Sequence, residues 1–246
     1  MVVELAVVRD NVVVHRHCET SQTLSTSTST GGTTSRTLDF DHAERKRSGE
    51  PMSGYQVGYI VGSLSTESIN RTLAEALIRL APKHLKFVEI PILDLPLYNR
   101  DFDTDYPPEG QALKDAIAAA DAVLFVSPEY NRGIPGCLKN AIDWASRPHG
   151  TNSFADKPSA VIGASPGKIG TAVGQQSLRN VLSYCNSPLM EAPEAYIHFT
   201  PGLITEAGEV TDKGTEQFLR DFIEEFAVFV ARVLTVLPPE RLGATG

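Results

Sequence analysis

From Tyr55 onward, short apolar runs alternate with stretches whose apolar residues recur every three or four positions. The runs are "YQVGYIV" (55–61), "LKFVEIPI" (85–92), "AVLFVS" (122–127), "PSAVIGAS" (158–165) and "EAPEAYIHF" (191–199). Between them the period changes. Ile69, Leu73, Leu77 and Leu80 share one helical face, a second helix follows Gly110 through Ala120, and a third aligns Leu138, Ile142 and Ala145. A fourth spans about 170–185, and the last, Thr215 to Leu237, is broadly apolar on one side. Strands alternating with helices make βαβ units, whose crossovers dictate a parallel sheet with helices on both faces. In such a sheet ligands sit beyond the carboxyl ends of the strands, where strand order reverses. The loops after the first, third and fourth runs are therefore the ones expected to carry chemistry.

Upstream of Tyr55 the pattern fails. Residues 20–37, "TSQTLSTSTSTGGTTSRT", are almost entirely Ser, Thr and Gly, and "DHAERKRSGEP" follows. Such a stretch buries too little apolar surface to offset its ordering entropy. The first 14 residues do carry a β-like run, "VVELAVVRDNVVV", which fits an added hairpin. With no partner strand evident nearby, the reading taken is a disordered, dispensable extension over 1–51 and a domain over 52–246, with Met52 as the natural start.

Composition narrows the class. The chain has 246 residues, 41% hydrophobic and 21% charged, enough for one globular domain. A net charge of -8 argues against a sequence-blind grip on nucleic acid, which needs clustered Lys and Arg. Cys18, Cys137 and Cys185 lie far apart without a C-x-x-C, so neither a disulfide framework nor a thiolate metal site is expected. No apolar run reaches the roughly 20 residues that span a bilayer, and no secretory signal is evident. The expected setting is the cytoplasm, with no membrane partner.

The three loops read "GSLSTESINRTLA", "PEYNRGIPGCLKN" and "SPGKIGTAVG". In the first, hydroxyls at Ser63, Ser65, Thr66 and Ser68 precede a helix start at Ile69 and Asn70, where backbone N–H groups and short donors make an anion site. Ser68 is equally a helix cap. The loop matches neither G-x-x-x-x-G-K-[ST] nor G-x-G-x-x-G, so a single terminal phosphate suits it better than a nucleotide triphosphate or dinucleotide. In the second, Pro128, Glu129, Tyr130 and Asn131 cross the top of the sheet, where their backbone groups meet the polar edge of a flat ring. Gly133 and Gly136 allow close approach or positive φ, and Pro135 suits a first helical turn. The third adds Ser165, Gly167 and Gly170 at another helix start. Each loop alone passes for an ordinary turn. Together, a phosphate at one and a planar ring between the other two describe flavin mononucleotide.

"GSLSTESINRTLA", "LPLYNRD", "SPEYNRGIPGCLKNAIDWASR" and "GQQSLRNVL" resemble the NADPH-dependent FMN reductase family, especially its bacterial chromate and quinone reductase members. The resemblance covers about residues 55–236 and is most specific at P-E-Y-N-x-x-x-P-G-x-L-K-N-A-I-D-W. It implies an α/β, flavodoxin-like three-layer sandwich: a five-stranded parallel sheet of order 2-1-3-4-5 with tightly held FMN. Carried over, Ser63, Ser68 and Asn70 bind phosphate, Pro128, Glu129, Tyr130 and Asn131 border the isoalloxazine, and Ser165 and Gly167 flank it. The family usually places Arg two residues after the first Ser. Here that position is Ser65, so Arg71, Arg132 or Lys168 is the expected substitute.

The flavin then carries the difficult chemistry, with NADPH or NADH as co-substrate, and no catalytic side chain or metal is required. The acceptor is expected to be a quinone, chromate, an azo compound or free flavin. His84, His149 and His198 are scattered, and Cys137 reads as a small buried hydrophobe. The long segment 93–109 either covers the flavin, reaches a second subunit or simply connects. The resemblance implies a homodimer or homotetramer, with the last helix and "NAIDWASR" as contact surfaces unless Trp144 is core. Rival readings are a flavodoxin-type electron carrier and a flavin-free interaction module, since fold alone decides nothing.

Overall fold

The computed structural model describes residues 54–237 and, as backbone, residues 5–9 and 12–16. Its strands are β1 (Leu5–Arg9), β2 (Val12–Arg16), β3 (Tyr55–Val61), β4 (Leu85–Glu89), β5 (Ala122–Val126), β6 (Ser159–Ser165) and β7 (Ala195–His198). Its α-helices are α1 (Ile69–Leu80), α2 (Pro108–Ala119), α3 (Gly136–Ala145), α4 (Ala172–Tyr184) and α5 (Lys213–Val236). β4, β3, β5, β6 and β7 pair in parallel in that order, which is the expected 2-1-3-4-5 arrangement.

The sheet separates two cores because side chains alternate across it. On β5, buried on both faces, Leu124 and Val126 point to the layer of α1 and α5, where they join Leu73, Leu77, Phe222 and Phe226. Val123 and Phe125 point the other way, to Leu113, Ile117, Leu138, Ile142, Trp144 and Leu178 from α2, α3 and α4. Each such fully buried side chain contributes about 1.5–3 kcal/mol over an exposed one. Trp144 is fully buried and belongs to this second core, not to a contact surface.

Several boundaries differ from the sequence expectation. β4 stops at Glu89, because Pro91 cannot donate to a ladder; Ile90 and Ile92 leave the strand yet stay buried in the second core. β7 is confined to Ala195–His198. Segment 93–109 is fixed to α3: Asn140 accepts from Tyr98 N and donates to Pro96 O, and the Trp144 indole N–H also donates to Pro96 O at 2.6 Å. It contains a short 3-10 helix, Arg100–Thr104, and Tyr98 and Tyr106 meet Trp144 edge-on.

β1 and β2 form an antiparallel hairpin that pairs with the β7 edge, Val12 opposite Ile197 and Val13 opposite Tyr196. This is the hairpin alternative for the start of the chain, and it extends the sheet to seven strands. The rest of the 1–51 extension, Met52 as a domain start, and Cys18 lie outside the described residues.

Candidate functional site

β3 and β5 are neighbours, while the chain between them runs out to β4 and back, so strand order reverses at the carboxyl ends of this pair. The loops leaving β3, β5 and β6 meet there. Gly62 N donates to Val126 O, and Ser127 N donates to Ile162 O, each at 2.9 Å, so the three strand ends form one continuous rim.

In the β3–α1 loop, Ser63 and Ser68 are buried and Ser65 is exposed. Ser68 caps α1 by accepting from Arg71 N, Ser63 Oγ accepts from Ser65 N, and Ser65 Oγ accepts from Glu67 N. Among the described residues, the amides of Ile69 and Asn70 have no acceptor, and the first turn of α1 contains no acidic side chain. An open helix start carries a positive partial charge of about half a proton. The Asn70 side chain is not available to a phosphate. Its carboxamide is 1% exposed and is spent on β6, accepting from Ala164 N at 2.8 Å and donating to Ala164 O at 2.9 Å. Its backbone N–H is the part that faces the open helix start.

The β5–α3 loop turns tightly: Tyr130 and Gly133 exchange both backbone hydrogen bonds, at 3.1 and 3.0 Å. The positive φ angles fall on Asn131 (52°) and Arg132 (63°) rather than on Gly133. Two successive left-handed residues define a type I′ turn, in which Asn is favoured at the first position. Tyr130 projects from it, 52% exposed. The Glu129 side chain is only 8% exposed; one oxygen accepts from Gly174 N at 2.9 Å and the other from Arg132 at 3.2 Å.

The β6–α4 loop is held by Ser165 Oγ, which accepts from Gly167 N, and by Gly170 N, which donates to Gly167 O. Gly170 has φ 63°, and a Cβ there would lie 2.8 Å from the Tyr196 carbonyl carbon, so the loop closes on β7 only with glycine. Gly174 likewise admits Glu129: a Cβ would lie 3.1 Å from the Glu129 Cγ.

The substitutes for the missing cation at Ser65 behave differently. Arg71 bonds Glu89 at 2.9 Å, and that hydrogen bond holds the Glu89 carboxyl below the usual carboxylate range; Arg132 is paired with Glu129. Lys168 is exposed and has no acceptor among the described residues. Cys137 Sγ lies 3.6 Å from Gly62 O, and burial pushes its thiol up, away from the thiolate a nucleophile needs. His198 meets Pro166 O at 3.1 Å, while His149 is exposed. Among the described residues, no three His, Cys, Asp or Glu side chains are grouped to hold a metal, and no helix is long and apolar enough to cross a membrane.

The donor set suits one elongated ligand, with an anionic group at the two free α1 amides and serine hydroxyls and a flat polar-edged ring at the turn. Glu129–Gly174 and Asn70–Ala164 are long-range polar links that no sequence periodicity signals.

Residues 55–202 match the family model described as NADPH-dependent FMN reductase. A 2-hydroxy-1,4-benzoquinone reductase from a Burkholderia species is 45% identical over 175 residues, covering 71% of this chain and 96% of that protein. A quinone reductase from Pseudomonas putida is 46% identical over 177 residues, covering 72% and 95%. Among solved structures, FerB from Paracoccus denitrificans, a flavoenzyme NAD(P)H:(acceptor) oxidoreductase, is 45% identical, with a TM-score of 0.70 over 72% of this chain and 98% of its own.

Proposed function

This chain belongs to the NADPH-dependent FMN reductase family, and from that premise we propose that it holds FMN across the ends of β3, β5 and β6 and passes electrons from NAD(P)H to a quinone. The observation that carries the placement is the start of α1, where among the described residues the Ile69 and Asn70 amides have no acceptor and the first turn holds no acidic side chain. A phosphate dianion there completes the hydrogen bonding of the helix start and meets its dipole. Ser63, Ser65 and Ser68 supply hydroxyls around it. Pro128 to Asn131 border the ring, and Ser165 and Gly167 flank it from β6.

Bound FMN supplies the two-electron hydride chemistry that no side chain of this rim possesses. The chain's own residues orient and select. Tyr130 and Ile169, 52% and 49% exposed, give the rim an apolar, partly aromatic surface on which flat molecules pack. Arg71 and Arg132 are already neutralised by carboxylates, leaving Lys168 as the unpaired cation of these loops. That balance favours a neutral flat acceptor over an oxyanion such as chromate, and the quinone substrates in the relatives' names agree.

The test is to load the protein with FMN, add NADPH or NADH without oxygen, and follow flavin absorbance. The expected result is bleaching, reversed by a benzoquinone. Flavin that binds but stays oxidised would refute the reductase reading, and a higher kcat/KM for chromate than for quinone would refute the acceptor assignment.

A further inference from the structure

Two of the helices that begin at this rim start differently. Among the described residues both α1 and α4 leave their first two amides without an acceptor and have the third taken, but Arg71 N–H of α1 goes to the neutral Ser68, whereas Gly174 N–H of α4 goes to the Glu129 carboxylate from a neighbouring loop. α4 has no acidic residue in its own first turn and no side-chain cap of its own. Glu129 therefore does for α4 what an N-terminal acidic residue ordinarily does within a helix. It is almost fully buried, so the interaction is poorly screened by solvent. Its second oxygen holds Arg132, inside the I′ turn. A Cβ at Gly174 would crowd the Glu129 Cγ at 3.1 Å, so the glycine eases the approach of the carboxylate to this amide.

We propose that Glu129 is a positioning residue. Its carboxylate locks the Tyr130 turn onto the start of α4, so the ring-bearing loop is fixed before any ligand arrives. The consequence for binding rests on the FMN reading of the preceding section; the lock itself does not. Arg132, 61% exposed, is the minor leg, since exposed ion pairs add little. The amide leg to Gly174 is the major one. A carboxamide oxygen can accept from Gly174 N–H just as a carboxylate does, so Glu129→Gln preserves the lock while removing the charge, and Glu129→Ala removes both.

The experiment compares wild type, E129Q, E129A and R132A by three measurements: amide hydrogen exchange of the flavin-free protein, thermal midpoint, and titration with FMN and riboflavin in parallel. In E129A, exchange should accelerate at 130–133 and at Gly174, and both flavins should weaken by the same factor, about tenfold to a hundredfold. E129Q should restore exchange protection and riboflavin affinity to within about threefold of wild type, and R132A should stay within about threefold throughout. A residue of merely global importance would not be rescued by Gln, and would lower the midpoint in proportion to the affinity loss. Unchanged exchange at 130–133 in E129A overturns the lock, whether or not flavin binds. Accelerated exchange with unchanged flavin affinity overturns the positioning role. Wild type that binds neither flavin would instead overturn the functional reading, with the exchange data still deciding the lock.

Discussion

Replacing Asn70 by Ala tests how the helix start proposed to take the phosphate is fixed to the rest of the rim. The carboxamide is 1% exposed and makes two hydrogen bonds to one residue of β6, Ala164 N and Ala164 O, at 2.8 and 2.9 Å. Losing both costs about 1 kcal/mol each net, and the buried peptide groups left behind add about 1–3 kcal/mol for each one that water cannot reach. Ala is the better helix former, which returns about 0.5 kcal/mol. The expected destabilisation is therefore about 2–4 kcal/mol, a sizeable share of the roughly 5–15 kcal/mol that holds a domain together. Urea unfolding of the flavin-free protein measures it. Because Asn70 ties α1 to the strand that leads into Ser165, FMN and riboflavin should weaken by similar factors. A loss below about 1 kcal/mol would refute the buried-link reasoning. A loss of FMN affinity far exceeding that of riboflavin would instead return Asn70 to the phosphate role that its sequence position suggests.

Ser68→Ala should behave oppositely: it costs about 1 kcal/mol as a lost helix cap, and in parallel titrations it should weaken FMN more than riboflavin, because only FMN carries the phosphate. Gly170→Ala should destabilise the protein by about 2–4 kcal/mol, since a left-handed Ala costs about 1–2 kcal/mol and its Cβ would press on the Tyr196 backbone; an unchanged thermal midpoint would contradict the close approach. The Arg71–Glu89 pair gives a pH signature. Glu89 has a folded pKa below its unfolded one, so its contribution is complete above the unfolded value of about 4.3 and fades as pH falls through the folded value. Both side chains are over one-third exposed, so the contribution is at most about 1 kcal/mol; Arg71→Ala should flatten the stability loss between neutral pH and pH 3 by no more than that, and a steeper loss would show the sign to be wrong.

The layered fold was legible because periodicity records burial directly. The apolar run at 55–61 became β3 without a change of boundary, and the five apolar residues of β5 announce a strand covered on both faces. Boundaries slipped where burial outlasts hydrogen bonding. Ile90 and Ile92 remain in the core after the strand has ended, so an apolar count carries β4 too far. The rim was legible as composition, since Ser63, Ser68, Glu129, Tyr130, Ser165 and Gly167 all lie on the three loops expected to converge. Individual roles were less so. Asn70 and Ala164 are 94 positions apart, and Glu129 and Gly174 are 45 apart, so these pairings exist only once the sheet has brought the loops together. Gly133 drew attention as the flexible residue, yet the left-handed pair is Asn131 and Arg132, because a two-residue hairpin turn places the strain on its two central positions.

On the proposed FMN placement, these pairings also bear on which way round the ligand lies. Both α1 and α4 start at the same rim, and on dipole grounds alone either could take a phosphate. The two helices are made unequal by the side chains between them. At α4 a buried carboxylate from the neighbouring loop already occupies Gly174 N–H, and a second negative group there would meet repulsion in a poorly screened setting. Among the described residues the first two amides of both helices have no acceptor, but at α1 the side-chain cap is the neutral Ser68, and the Asn70 carboxamide is turned away into β6. On the proposed FMN placement, polarity of binding follows from where the chain has placed one of its own negative charges. On the same placement the Ser65 position needs no arginine for this selection, because the Glu129 charge beside the competing helix start supplies the discrimination, and a cation at α1 would only add affinity.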